Sequence, residues 1–216
     1  MAVPADAGIA RAQITGLVLA GGRSRRWGGV DKAWQRFAGR PMVHRVCERL
    51  AAQTAAVWIS ANRDLERYGA LGHRVLVDDW PDGRGPLAGI ATALRRIETP
   101  WLLVAPVDSP GVPRDLAMHL GAEACRADRL LATARDGERL QPVFLLIHRD
   151  LAAALVTAVA GETRRLGAWV QAQGPALVDA QAAGWTHALR GANDALELTA
   201  LEAILGQIPV SADGGE

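Results

Sequence analysis

The chain contains 216 residues, of which 50% are hydrophobic and 22% are charged, a balance typical of a globular domain. Its formal net charge is +1 with histidine neutral, which argues against nucleic acid or an anionic membrane surface as a partner, since both bind broad basic faces. No run approaches about 18 apolar residues, and the N-terminus lacks the basic and apolar segments of a signal peptide, so we expect no membrane span and a cytoplasmic protein.

Strands and helices alternate through the first half of the chain. The run ITGLVLA at residues 14–20 is almost continuously apolar, which predicts a strand buried on both faces. Similar patterns predict strands at 56–62, 73–79 and 101–107, and helices at 41–53, 64–72 and 86–97. Repeated strand–helix units predict an α/β fold of three layers, with a Rossmann-like, mostly parallel sheet flanked by helices. In such sheets, ligands bind beyond the carboxyl ends of the strands.

The second half of the chain is less regular. Strands are predicted at 130–135 and 143–148, and helices at 114–120, 149–159, 164–173 and 196–205. There is no internal repeat or Pro/Gly/Ser-rich linker, so we expect a single domain over residues 14–207. Small and polar residues at 1–13 and 208–216 predict flexible ends.

A short basic loop follows the first strand. Residues 19–32 read LAGGRSRRWGGVDK, with three arginines, one lysine and one aspartate, which leave a local charge of +3. Gly21 and Gly22 let the backbone turn sharply and approach a ligand closely. Backbone amides and basic side chains form an anion cradle, so the expected ligand is a polyphosphate whose β- and γ-phosphates Arg23 and Arg26 would bind. The alternative is a solvated, mobile loop.

Two common phosphate-binding motifs do not fit this chain. A Walker A loop requires a Gly-Lys pair, whereas Lys32 follows Asp31. The segment 83–88 matches a Rossmann fingerprint only formally, because it contains Pro86 and begins several residues after its strand. A different nucleotide-binding pattern is therefore expected.

Five segments in a fixed order resemble the molybdenum cofactor guanylyltransferase family, and the resemblance covers residues 14–198. They are LAGGRSRRWGGVDK (19–32), SANR (60–63), VDD (77–79), GPLAG (85–89) and PVDSP (106–110). Members of this family join the GMP part of GTP to the terminal phosphate of molybdopterin and release pyrophosphate. The resemblance implies a nucleotide-diphospho-sugar transferase-like fold. The second glycine of LAGG favours guanine, since cytidylyltransferase relatives typically have LAAG there.

The resemblance assigns a role to each matching residue. It implies that Lys32 binds phosphate and that Asp108 holds Mg²⁺. The implied catalytic residues are Lys32, Asp108 and Arg26. Asn62 and Asp78 would contact the base or the sugar. The implied nucleotide-binding residues are Leu19, Ala20, Gly21, Gly22, Arg23, Lys32, Asn62, Asp78, Gly85 and Asp108. Leu19, Ala20 and Gly21 would contact the guanine and the ribose through their backbone.

The chemistry of such a transfer suits these residue types. Attack at an α-phosphorus places negative charge on phosphate oxygens, which a hard cation, lysine and arginine offset. Mg²⁺ needs only one or two protein carboxylates, so one aspartate after a strand is enough. The nucleophile is already a phosphate, so no strong general base is required. Read structurally instead, Asp108 could form a turn before Pro110, and Asn62 could cap a helix.

The C-terminal part of the resemblance is poorer. Family members often end in Asn-x-Asn-Thr-Pro-Glu-Asp/Glu-Leu, whereas residues 191–198 read GANDALEL. Asn193 and Leu198 are retained, but Gly191 replaces the first asparagine and Asp194-Ala195 replaces Thr-Pro. The acceptor residues implied are Arg165 and Asn193, with DGERLQP at 136–142, because basic groups suit the phosphate of molybdopterin. The departure bears on the acceptor site more than on the GTP site.

The leading function is therefore Mg²⁺-dependent transfer of GMP. Its partners would be GTP, molybdopterin and a cofactor-insertion or molybdoenzyme chaperone protein, and the enzyme would be a monomer. A cytidylyl- or sugar-nucleotide transferase of the same fold would keep Asp108 but change the base and the acceptor. The alternative from a different functional class is a nucleotide-binding module without turnover. The departure from the family pattern at 191–195 suggests it.

Overall fold

A seven-stranded sheet lies at the centre of the fold. The computed structural model describes residues 8–20, 31–80, 84–161 and 165–206. The predictions for Gly21, Gly22, Arg23 and Arg26 therefore lie outside the described residues, as does most of the two ends predicted to be flexible. Within the first of those ends, Arg11–Gln13 forms a 3-10 helix.

The sheet is mostly parallel, as the alternating pattern predicts. Its strands and those of a small hairpin are β1 (Ile14–Leu19), β2 (Arg36–Phe37), β3 (Arg40–Pro41), β4 (Ala56–Ser60), β5 (Arg74–Leu76), β6 (Trp101–Pro106), β7 (Leu131–Asp136), β8 (Arg139–His148) and β9 (Ala176–Asp179). The order in the sheet is β5-β4-β1-β6-β8-β7-β9, and β2 pairs separately with β3. Only β8 runs antiparallel to its neighbours, β6 and β7.

Helices cover both faces of the sheet. They are α1 (Met42–Ala51), α2 (Leu65–Gly69), α3 (Pro86–Leu94), α4 (Leu116–Ala127), α5 (Ala152–Ala160), α6 (Leu166–Ala172) and α7 (Ala195–Gly206). One buried cluster joins the sheet to α1, α2 and α4, and a second joins it to α3, α5 and α6. Alternate residues of β1 divide between them, with Val18 in the first and Leu17 in the second. Each such fully buried side chain contributes about 1.5–3 kcal/mol relative to exposure. This arrangement confirms the three-layer α/β prediction.

The C-terminal helix α7 packs on the β2–β3 hairpin rather than on the main sheet. A small apolar cluster joins them, which consists of Phe37, Met42, Ala192, Leu198 and Leu201. The hairpin also donates a hydrogen bond from the amide of Ala38 to Oε1 of Glu202, at 2.6 Å. None of the helices in the described ranges is both long and apolar enough to cross a membrane.

The carboxyl ends of the parallel strands bring distant segments together. The backbone pairing continues past β1, because Ala20 N donates to Ser60 O at 2.9 Å and Val107 N donates to Leu19 O at 3.0 Å. Ala61 N likewise donates to Leu76 O at 2.9 Å. The carboxyl ends of β1, β4, β5 and β6 therefore lie side by side at one edge of the sheet, where the sequence places the nucleotide.

Candidate active site

Lys32 and Asp108 meet at this edge. Lys32 begins a 3-10 helix, Lys32–Trp34, and Asp108 follows β6 by two residues. The ammonium Nζ of Lys32 donates a hydrogen bond to Oδ2 of Asp108, and the two side chains are 20% and 15% exposed. The predicted phosphate-binding residue and the predicted metal ligand are thus direct neighbours, although 76 positions separate them in the sequence.

Asn62 and Asp78 form a second pair close by, at the ends of β4 and β5. Asn62 Nδ2 donates to Asp78 Oδ2 at 2.8 Å, and the amide of Asp78 donates to Asn62 Oδ1 at 2.9 Å. Ser60 Oγ contacts the other carboxylate oxygen at 3.2 Å. Burial raises the pKa of Asp78, and the hydrogen bonds from Asn62 and Ser60 only partly offset that increase. Asn62 is exposed, so this pair remains accessible to a ligand.

The structure distinguishes Asp78 from its neighbour Asp79. Asp79 forms ion pairs with Arg96 at 2.6 Å and with Arg95 at 3.2 Å, and its backbone amide donates a hydrogen bond to Thr92 Oγ1 at 3.0 Å. Its carboxylate is therefore committed to the region around α3. Asp78 has the carboxylate that faces the loop after β4.

The two glycines of GPLAG have different structural roles. Gly85 immediately precedes α3 and has φ of 64°, a left-handed conformation that favours glycine. At Gly89, a Cβ would lie 2.4 Å from Ser60 Oγ and 3.3 Å from Leu19 Cδ2. Gly89 therefore lets α3 pack directly against the ends of β1 and β4. Sequence reasoning singled out Gly85 alone, and only the close packing identifies the second position.

The segment at 191–195 lies against Asp108. The amide of Ala192 donates to the backbone oxygen of Asp108 at 2.9 Å. A Cβ at Gly191 would lie 3.1 Å from Asp108 Oδ1 and 3.3 Å from Ser109 Oγ. The sequence linked this segment mainly to the acceptor, whereas it also borders the carboxylate expected to bind metal. The only sequence signal for this contact is the departure from the family pattern at 191–195.

A cavity of about 550 Å³ has Gly191 in its lining. It is lined by Asp136, Arg139, Gln141, Ala180, Trp185, Thr186, Leu189, Arg190, Gly191, Asn193, Glu197, Ala200, Leu201 and Ile204. Asn193 is thus brought to the cavity, where its amide and Nδ2 both donate to Glu197 Oε2. Part of DGERLQP lies there too. Arg165 is absent from the described lining and precedes α6, a helix whose buried side chains belong to the other face of the sheet.

Asp108 is the carboxylate at this site that the sequence assigns to a metal. In the described ranges, no group of three or more His, Cys, Asp or Glu side chains is arranged to hold a metal ion. Mg²⁺ in phosphoryl-transfer sites is commonly held by one or two carboxylates and by the phosphates of the substrate. Asp108, which adjoins a lysine and has no side chain facing it at Gly191, where a Cβ would lie 3.1 Å from Oδ1, fits that mode of binding.

Comparisons with known proteins agree with this geometry. A family model described as the MobA-like NTP transferase domain matches residues 16–178. A molybdenum cofactor guanylyltransferase from Acidovorax sp. (strain JS42) is 44% identical over 206 residues, which cover 88% of this chain and 96% of that protein. One from Bordetella pertussis is 41% identical over 197 residues with the same coverage. A crystal structure of molybdopterin-guanine dinucleotide biosynthesis protein A from Archaeoglobus fulgidus has a TM-score of 0.74 at 20% identity, covering 90% of this chain and 100% of its own.

Proposed function

This chain belongs to the family of MobA-like NTP transferases, and we propose that it transfers GMP from GTP to the terminal phosphate of molybdopterin, with release of pyrophosphate. The observation that carries the proposal is the Lys32–Asp108 pair beside the Asn62–Asp78 pair at the carboxyl edge of the sheet. The name shared by the relatives supports guanine as the base and molybdopterin as the acceptor.

Lys32 and Asp108 act on the phosphates in this proposal. A phosphate oxygen of molybdopterin attacks the α-phosphorus of GTP, and the bond to the leaving pyrophosphate breaks as the new P–O bond forms. The ammonium of Lys32 offsets the negative charge that gathers on the phosphate oxygens. When Mg²⁺ is bound, with Asp108 as its protein ligand, it supplies further positive charge to these oxygens. Arg23 and Arg26 are proposed to bind the pyrophosphate portion, because guanidinium forks match phosphate geometry.

The Asn62–Asp78 pair is proposed to hold the nucleoside. Its two hydrogen bonds, one to the carboxylate and one from the backbone amide of Asp78, fix this residue at the ends of β4 and β5, and Asn62 remains exposed. The backbone of Leu19 and Ala20 lies alongside, since Ala20 pairs with Ser60 at the same level. We propose that Gly21 and Gly22, next in the sequence, and Gly85, at the start of α3, complete the set of nucleotide-binding residues.

The acceptor is proposed to enter the cavity that has Gly191 in its lining. Arg139 and Arg190 supply positive charge there, and Asn193 supplies an amide. Gly191, which lines the cavity, also lies against Asp108, so the two substrates would meet there for transfer. Arg165, the other acceptor residue suggested by the resemblance, is not among the described residues that line this cavity.

We also propose a monomer that works in the cytoplasm and passes its product to a cofactor-insertion or chaperone protein. Cys47 and Cys125 are both free thiols, as is usual in a reducing compartment. Burial raises the pKa of Cys47 to about 12, which keeps this thiol protonated and unreactive. Light scattering during size-exclusion chromatography measures the oligomeric state, with one chain of 22.9 kDa as the expected mass.

One assay separates the candidate functions. Purified protein is supplied with Mg²⁺, molybdopterin and either GTP or CTP, and both pyrophosphate and the dinucleotide product are measured. Guanylylation of molybdopterin supports the proposal, whereas use of CTP without use of GTP favours the cytidylyltransferase alternative. Tight GTP binding without pyrophosphate release over many hours favours the module without turnover. Omission of Mg²⁺ from the same assay tests the metal requirement.

A further inference from the structure

Tyr68 is the only tyrosine in the chain, and it is directed at the loop that carries Lys32. It lies on α2, is 1% exposed, and donates a hydrogen bond from its hydroxyl to Asp31 Oδ2 at 2.6 Å. Burial and the hydrogen bond to Asp31 raise the pKa of Tyr68 far above its usual range. The hydroxyl therefore keeps its proton and remains a donor to the carboxylate at any working pH.

The second oxygen of Asp31 holds the turn in which Lys32 lies. Asp31 Oδ1 accepts a hydrogen bond from the amide of Ala33 at 3.0 Å and so caps the 3-10 helix Lys32–Trp34. Lys32 is the residue between the capping carboxylate and the capped amide. A lysine side chain has a flexible four-carbon stem, so the position of its backbone decides where the ammonium can reach. Asp31 fixes that backbone.

Packing around the tyrosine ring reinforces the arrangement. The Trp34 ring lies 5.3 Å from the Tyr68 ring, centroid to centroid, and the guanidinium of Arg67 lies 3.9 Å from the Trp34 centroid. Both ends of the Lys32 turn, Asp31 and Trp34, therefore contact α2. This helix begins at Leu65, three residues after Asn62 in the chain. It thus links the nucleoside pair to the phosphate-binding lysine.

We propose that Tyr68 is a positioning residue for Lys32, and that through Asp31 it sets the affinity of the site for the triphosphate of the nucleotide. Tyr68 touches neither substrate, and its effect on the reaction passes entirely through the Lys32 turn. The proposal rests on the proposed function, because it requires that Lys32 bind the phosphates of GTP.

Direct binding of GTP, measured by calorimetry in the presence of Mg²⁺ and without acceptor, tests the inference. Tyr68→Phe keeps the ring packing and removes only the hydroxyl, so we expect GTP affinity to fall about tenfold, or about 1.4 kcal/mol, since a hydrogen bond to a charged group is lost. Thr54→Val is the matched control, because it removes a buried hydroxyl that bonds to Leu50 O at the far end of α1. This control is expected to bind GTP as the wild type does.

A double-mutant cycle shows whether Tyr68 acts through Asp31. If it does, Tyr68→Phe costs about tenfold in the wild type but little in an Asp31→Ala background. Equal losses in both backgrounds would overturn the inference. Asp31→Asn replaces this test if Tyr68→Phe folds poorly. It keeps the cap on Ala33 but removes the charged acceptor of the Tyr68 hydrogen bond, so an unchanged affinity for GTP would also overturn the inference. Failure of the wild type itself to bind GTP would instead contradict the proposed function.

Discussion

Asp78 and Asp79 are sequence neighbours with different electrostatic surroundings. Burial raises the pKa of Asp78, whereas Asp79 is ion-paired with Arg95 and Arg96. An acid whose pKa is raised on folding binds more protons in the folded state than in the unfolded state. As the pH rises from the ordinary pKa of 3.8 towards the raised pKa of the folded state, ionisation of Asp78 therefore lowers the free energy of unfolding. A carboxylate whose ionisation lowers the stability of the folded protein is typical of a binding site.

We expect Asp78→Asn to raise the melting temperature at neutral pH and to weaken GTP binding. The gain in melting temperature should shrink as the pH falls toward 3.8, because Asp78 then becomes protonated in both states of the wild type. Asp79→Asn is the matched control, and it should lower the melting temperature slightly at neutral pH by breaking exposed ion pairs worth about 0–1 kcal/mol. Thermal denaturation across this pH range measures both, and a pH-independent difference for Asp78→Asn would contradict the expectation.

Asp108, the proposed metal ligand, has a small structural role. Its side chain pairs with Lys32 in a partly exposed cleft, so Asp108→Asn should retain the fold and a melting temperature close to that of the wild type. It should lose most GMP transfer at saturating GTP and Mg²⁺, because the carboxylate that would hold the metal is gone. Asp150→Asn, at an exposed position after β8, is the control with normal turnover expected. Near-normal turnover of Asp108→Asn would remove this residue from the metal site.

Among the secondary-structure elements, the β2–β3 hairpin has a strained turn. Ala38 and Gly39 connect its strands with φ of 48° and 77°, and only glycine adopts such values without strain. Asparagine tolerates this region better than alanine, so Ala38→Asn should stabilise the protein by about 0.5–1 kcal/mol and raise the melting temperature by about 2 °C. The hydrogen bond to Glu202 is unaffected because it uses the backbone amide. Gly39→Ala is the control and should lower the melting temperature, although a Cβ there meets no atom within 4 Å.

The elements that the sequence predicts best are those with a strong local signal. The first strand and α1 lie close to the predicted bounds, since one is a continuous apolar run and the other begins after a proline with five apolar residues on one face. The strand β9 has only four residues and no distinct pattern, and it was missed. Nor does any local pattern report that β8 lies between β6 and β7, because strand order depends on long-range packing.

The same distinction applies to the site. The meeting of Lys32 and Asp108 follows from parallel topology, since both residues come after strands that are neighbours in the sheet. The hydrogen bond between Tyr68 and Asp31 depends on the path of a five-residue helix, for which the sequence offers no register. Likewise, the contact of Gly191 with Asp108 depends on a C-terminal segment that returns across the edge of the sheet.

At the scale of the whole molecule, the site divides along the edge of the sheet. The residues proposed to bind the nucleotide follow β1, β4 and β5, whereas the cavity is lined by residues of β7, β8 and the segment that leads into α7. Asp108 follows β6, the strand between these two groups. This arrangement suits the transfer of a group between two substrates, because each substrate can occupy its own side while the reacting phosphates meet at the boundary.

The division predicts that variants on the two sides affect different substrates. Arg139→Ala or Arg190→Ala should raise the KM for molybdopterin about tenfold, since a charge-assisted hydrogen bond to phosphate is lost, and should leave GTP binding unchanged. Steady-state kinetics with each substrate varied in turn, together with GTP calorimetry, separates the two effects. Arg129→Ala, at an exposed position before β7, is the control with both constants unchanged. If Arg165→Ala alone increases the KM for molybdopterin, the acceptor binds outside the cavity. If the cavity variants weaken GTP binding, the division is wrong, because the two sides would then share one ligand.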